Sequence, residues 1–152
     1  MMKEFILDKN VDLEPTQKEY PKYFFDALRQ SSRIRLVIGG TDYRREIKEK
    51  TSLLQLISDM ITSGKVRSVD DSLVDERQKK LIDRILETMD GCPTECDDHH
   101  IFALSVVSGC CNVITKETRM ATCRDKIRNV VGHDHCPNIR VVRNQSSYEA
   151  TP

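Results

Sequence analysis

The chain has 152 residues, 38 % of them hydrophobic and 32 % charged, with no Trp. That length holds one core of the size that a sheet covered by helices on both faces needs, and the apolar share excludes wholesale disorder. Lys and Arg number 24, as do Asp and Glu, so no global field draws in nucleic acid or anionic lipid, and a polyanion must be met by local patches.

In chain order, Glu4-Phe5-Ile6-Leu7 closed by Asp8 predicts a short buried strand. From Pro15 to Gln30, apolar Tyr20, Phe24, Ala27 and Leu28 recur every three or four residues, the stripe of a helix that Pro21 kinks or shortens. Ile34 to Ile38 predicts a second strand, broken by Gly39-Gly40. Thr41 then caps a single helix whose inner face is Tyr43, Ile47, Leu54, Ile57 and Ile61 and which Gly64 stops. Lys65 to Val69 suits an edge strand. Asp70 or Asp71 caps a helix burying Val74, Leu81, Ile82, Ile85 and Met89, ended by Gly91-Cys92-Pro93.

A polar loop through Cys96 leads to a helix from Asp97 to Ser108 that buries Ile101, Leu104 and Val107 or Ser108 and ends at Gly109. Asn112 to Thr115 predicts a strand, Met120, Cys123, Ile127 and Val130 the inner face of a helix, and Ile139 to Val142 a last strand. The tail, 144–152, is polar and expected to be disordered. Strands alternating with helices predict an open α/β sheet, mainly parallel, because parallel neighbours need helical crossovers.

No apolar run reaches the roughly 18 residues of a membrane helix. The opening from Met1 to Leu13 carries acids within its one apolar stretch, unlike a signal peptide, so a cytoplasmic protein with no membrane contact is expected. In that setting the six cysteines read as reduced thiols or metal ligands.

In such a sheet, sites form where strands end and helices begin. Asp8 closes the first strand, Glu46 lies in the second turn of the helix after the second, Asp97 and Asp98 open a helix, and Glu117 follows the Asn112 strand. All five carboxylates fall on one edge. Unneutralised, they would repel and force some members to keep protons, a conflict that a hard dication removes. Mg²⁺ or Mn²⁺ suits carboxylate oxygens and retains waters able to attack a phosphodiester.

Three segments carry most of these acids: Phe5-Ile-Leu-Asp8-Lys-Asn10-Val11, Asp98-His-His-Ile101-Phe-Ala103-Leu-Ser, and Gly109-Cys-Cys-Asn-Val-Ile-Thr115-Lys-Glu117. They resemble the PIN-domain nucleases. The first is similar to that family's strand ending in Asp with Asn, Ser or Thr nearby. The second is similar to its Asp with an apolar residue three on and Ala five on, and the third to its strand ending Thr-x-Asp, with Glu117 standing where the family has Asp. The resemblance spans roughly residues 4 to 143.

It implies a single three-layer α/β/α sandwich over 1–143 and a metal-dependent endoribonuclease using Mg²⁺ or Mn²⁺. Asp8, Glu46, Asp98 and Glu117 would form the metal site, with Asp97 as an added ligand, or the true one if the register is off by one. Asn10 and Thr115 would orient ligands or waters. RNA is the implied substrate, an antitoxin an implied partner as in many toxin-type members, and a homodimer a further expectation. Glu49, one turn beyond Glu46 on nearly the same face, is the alternative at that position. Arg44, Arg45, Lys48 and Lys50 beside Glu46, and Arg119, Arg124 and Lys126 beside Glu117, are candidates for RNA phosphate contact, or simply solvate helix faces.

Two other classes stand beside this one. A non-catalytic interaction module would keep the fold without the activity, and Glu117 in place of Asp points that way. A zinc-binding module would use Cys92, Cys96 and His99, with His133, His135 and Cys136 as further donors. Cys110, Cys111 and Cys123 lie on or beside predicted core elements, where a reduced Cys behaves as a small hydrophobe. Nothing singles out one thiol with a positioned base, so a Cys–His nucleophile has no support.

Overall fold

The computed structural model describes residues 2–11, 20–88, 96–116, 119–132 and 139–142. The elements are β1 (Lys3–Leu7), α1 (Tyr20–Gln30), β2 (Ile34–Ile38), α2 (Thr41–Lys48), α3 (Thr51–Thr62), β3 (Val66–Ser68), α4 (Asp71–Thr88), α5 (His99–Ser108), β4 (Asn112–Ile114), α6 (Arg119–Val131) and β5 (Arg140–Val142). The strands form one five-stranded sheet in the order β3-β2-β1-β4-β5, with every pairing parallel. Helices flank the sheet, as the α/β expectation has it.

The chain steps outward from β1 to β2 to β3, then returns past β1 to lay down β4 and β5. Right-handed crossovers in opposite directions put the intervening helices on opposite faces. Accordingly α1 packs against β2 and α3 against β3, while α4 packs on both α5 and α6. The strand order reverses between β1 and β4. In an open parallel sheet, that reversal leaves a crevice at the carboxyl ends of the two strands, because the connections leave them in opposite directions.

Phe5, Ile6 and Leu7 on the central strand are all buried, as a strand covered on both faces requires. Helix α5 is buried from His100 through Ser105, on every side and not on the single stripe expected. The reason is its packing against α4, with α2 also in contact. Such a helix reads as apolar all round and shows no stripe.

The single helix expected from Thr41 to Gly64 is two. Glu49 closes α2, and Lys50 takes an extended conformation (φ −118°, ψ 97°) before α3 starts. The Lys50 ammonium donates to the carbonyls of Lys9 and Val11, so the break is tied to the loop after β1. Restarting the helix shifts its phase: Leu53, Leu56, Ile57 and Met60 turn inward, and the expected core residues Leu54 and Ile61 are exposed.

Thr41 is not the cap of α2; Gly40 is, at φ +94°, where its missing Cβ would lie 2.7 Å from Val74 Cγ1. Both the left-handed backbone and the close approach demand glycine there. The Thr41 hydroxyl and N–H instead donate to Asp75.

Cys96 and Cys123 form a disulfide, correcting the expectation that the cysteines are reduced thiols or metal ligands. Their Cα atoms are 5.5 Å apart because the loop before α5 lies against α6, a proximity that no local spacing encodes. The predicted Gly91-Cys92-Pro93 stop, the start of the first helix before Tyr20, and the 144–152 tail lie outside the described residues. No helix among the described residues is long and apolar enough to cross a membrane.

Candidate active site

At the β1/β4 reversal, the backbone ladder runs one step beyond the strands: Asp8 N–H donates to the Ile114 carbonyl at 2.9 Å. This places Asp8 and Thr115 side by side. Thr115 Oγ1 lies 2.7 Å from Asp8 Oδ2 and 3.1 Å from Asn10 Oδ1, and the Lys116 N–H donates to the same Asn10 oxygen at 3.1 Å. A hydroxyl has one hydrogen to give, so the shorter contact, to the carboxylate, takes it. Asp8 is 3 % exposed and Thr115 fully buried.

Two further segments deliver side chains to this crevice. Helix α2 brings Glu46, half-buried, whose Oε1 lies 3.2 Å from Lys9 Nζ and whose Oε2 lies 2.7 Å from His100 Nε2. The oxygen stands off the ring N–H direction, so the His100 contact is a close polar contact and not a straight hydrogen bond. Asp98 is the N-cap of α5, with no side-chain capping bond of its own, and Asp97 beside it is exposed.

The electrostatics follow from burial and crowding. Burial, opposed by the Thr115 hydrogen bond and the His100 charge, raises the proton affinity of Asp8. Burial again, joined by the charges of Asp8 and Asp97, pushes the Asp98 carboxyl up to about 7. Burial alone would raise Glu46 too, but the contact and charge of His100, together with Lys9, hold it below the ordinary carboxylate range. Burial disfavours the charge on His100, yet the Glu46 contact and the charges of Glu46, Asp98 and Asp8 outweigh it and hold the imidazole above its ordinary value. Two acids whose proton affinity is raised by burial and by neighbouring acids, gathered in one crevice, are the signature of a cluster short of positive charge.

The structure thus brings Asp8, Glu46, Asp98, Asn10 and Thr115 together. Glu49, the alternative to Glu46, is exposed at the end of α2. Glu117 lies outside the described residues. Of the basic candidates, Arg44 is bound to Asp71 at 2.7 Å and to Ser68 at 2.6 Å, and Arg45 to Asp42 at 2.7 Å. Lys48 and Arg119 are exposed.

Among the described residues, no three His, Cys, Asp or Glu side chains already stand in position to hold one ion. Cys96, in its disulfide, offers no thiolate to zinc, and Cys92, His133, His135 and Cys136 lie outside the described residues. Sequence reasoning missed Lys9 and His100. Each adjoins or nearly adjoins a predicted acid, but only the fold shows that both turn to Glu46.

No family model matches the chain, and none of the curated proteins does. Among solved structures, a crystal structure of VapBC2 from Rickettsia felis bound to a DNA fragment from their promoter is similar over 93 % of this chain and 99 % of that one, at a TM-score of 0.47 and 10 % sequence identity.

Proposed function

We propose that the chain is a PIN-type, metal-dependent endoribonuclease whose centre is the acidic crevice between β1 and β4. The observation that carries the reading is the meeting of Asp8, Glu46 and Asp98, from three distant stretches of chain, at the point where an open parallel sheet leaves room for a ligand.

The donor set fits a hard dication. Asp8 and Asp98 resist ionisation where they stand, and a bound cation relieves both burial and repulsion in one step. Asp8, Asp98 and Glu46 would hold it, with Asp97 and Glu117 as further donors. When bound, Mg²⁺ or Mn²⁺ supplies positive charge at the phosphate and lowers the proton affinity of a water for attack on phosphorus.

The chain's own groups prepare this centre. Thr115 holds one oxygen of Asp8 and leaves the other for a ligand, and Asn10 braces the loop through the Lys116 N–H. Lys48, Arg119 and Lys126 are among the basic candidates whose exposure suits RNA phosphate contact.

Purified protein should cleave mixed RNA with Mn²⁺, and Asp8→Asn and Asp98→Asn should each abolish cleavage while circular dichroism stays unchanged. Metal-dependent cleavage retained in both variants would refute the site. One observation favours a second reading, a PIN-like module without catalysis: both Glu46 oxygens already contact basic protein side chains, Lys9 and His100. Absence of RNA cleavage together with absence of Mn²⁺ uptake by calorimetry would select it.

A further inference from the structure

We propose that the edge of the sheet opposite the acidic crevice is a second ligand site, one that binds the phosphodiester backbone of single-stranded nucleic acid. All pairings are parallel, so every strand begins on this edge and ends on the other. Cations stand at four of the five beginnings: Lys3 on β1, Arg33 and Arg35 at β2, Lys65 and Arg67 at β3, and Arg140 on β5. Against these six, the described residues that open the strands supply one acid, Glu4. The chain as a whole carries no net charge, so a local excess of this kind is what a polyanion would meet.

Part of the set is engaged within the fold. The Glu4 carboxylate pairs with Arg35 and Arg67, both at 2.8 Å. Lys65 Nζ donates to the Leu28 and Arg29 carbonyls at the end of α1, and Arg67 to the Ser108 carbonyl at the end of α5. Helices that lead into parallel strands end on this edge, and cations near their last carbonyls complement their dipoles. A carbonyl carries no formal charge, however, and one carboxylate offsets one cation of the six.

Two features select the ligand. Neighbouring strands lie about 4.8 Å apart, so the row from β3 to β5 runs about 19 Å, which outreaches a single phosphate and suits a chain of them. Where β1, β4 and β5 begin, a recess of about 350 Å³ opens, walled by Lys3, Glu4, Asn112 and Arg140 among others. That is the size class of a small-molecule site and gives room for one nucleotide unit along the row. A protein partner would want an apolar centre to its interface, and among the described residues at the strand starts only Met2 exposes a large apolar side chain. The site lies apart from the proposed nuclease centre and needs no metal ion.

The test is fluorescence anisotropy of a short labelled single strand, made once as RNA and once as DNA, with the full chain in EDTA so that nothing is cut. Phosphate contacts by Lys3, Arg33 and Arg140 imply a slope of log affinity against log salt of about −2. Lys3→Gln, Arg33→Gln and Arg140→Gln leave the Glu4 pairs in place; each should flatten the slope by about 0.7 and weaken binding about 5- to 10-fold in about 50 mM salt. Arg33→Lys, which keeps the charge, should hold the parent's slope, and melting is the folding control. RNA and DNA should bind within about 3-fold of each other, because a backbone site does not read the 2′-hydroxyl.

No binding in about 50 mM salt, folded Gln variants equal to the parent, or a preference between RNA and DNA beyond about 10-fold would overturn the proposal. Displacement by polyglutamate of equal charge would overturn it by making the ligand an acidic peptide. Binding lost in Lys48→Gln and Arg119→Gln but kept in the three Gln variants would overturn it and leave the crevice as the RNA site, with the nuclease reading standing. Binding that depends on the three cations in a chain that cleaves no RNA would support the proposal and remove the nuclease reading alone.

Discussion

Asp98→Asn should make the metal-free protein more stable at neutral pH while destroying its proposed activity. The Asp98 carboxyl titrates at about 7 instead of its ordinary 3.8, through burial first and then the charges of Asp8 and Asp97. A raised acid binds its proton more tightly when folded, so its contribution is complete below about pH 4 and is lost as pH rises through about 7. At about 1.4 kcal/mol per tenfold change in proton affinity, the ceiling on that loss is about 4 kcal/mol. The amide of the variant has nothing to ionise and forfeits none of it.

Asp8 and His100, also raised, lose stability in the same direction, so a residual slope should persist in the variant. Glu46, held low, acts oppositely: its contribution is present above its ordinary 4.5 and is lost as pH falls. Urea unfolding between pH 5 and 8 in EDTA should therefore show the parent losing stability with pH more steeply than Asp98→Asn, the two converging at the acid end. Mn²⁺ at 100 times its dissociation constant should then restore about 2.7 kcal/mol to the parent and nothing to the variant. Equal slopes in EDTA, or a variant less stable than the parent at pH 8, would refute the electrostatic account.

Two further predictions concern the frame around the site. Cys96→Ser opens a cross-link spanning 27 positions, and loop-closure entropy puts its cost at about 3–4 kcal/mol; urea unfolding with and without reductant checks it, and a parent indifferent to reductant would count against the bridge. Tyr43→Phe removes a buried hydroxyl that donates to the Leu7 carbonyl at 2.8 Å, beside Asp8, and should cost about 1–2 kcal/mol in the same assay.

Much of this architecture is written locally. Apolar runs the length of buried strands, glycines at helix ends and alternation with helical stripes are enough to lay out β1 to β5 in order, because periodicity and backbone conformation depend on neighbours in sequence. For the same reason Asp8 at a strand end and Asp98 at a helix start could be singled out as facing one edge: an element's direction in a parallel sheet fixes which edge its ends occupy.

What needed the tertiary structure is everything decided by residues far apart in the chain. The split of α2 from α3 depends on Lys50 reaching the loop after β1, and it alone turns Leu54 and Ile61 outward. The contacts of Glu46 with His100 and Lys9 depend on three segments meeting. The Cys96–Cys123 bridge depends on a loop lying against a helix that begins more than twenty residues later. A helix buried on all sides carries no stripe, so α5 conceals its inner face from pattern reading. Periodicity records one face against water; it holds no record of which distant side chain fills the space opposite.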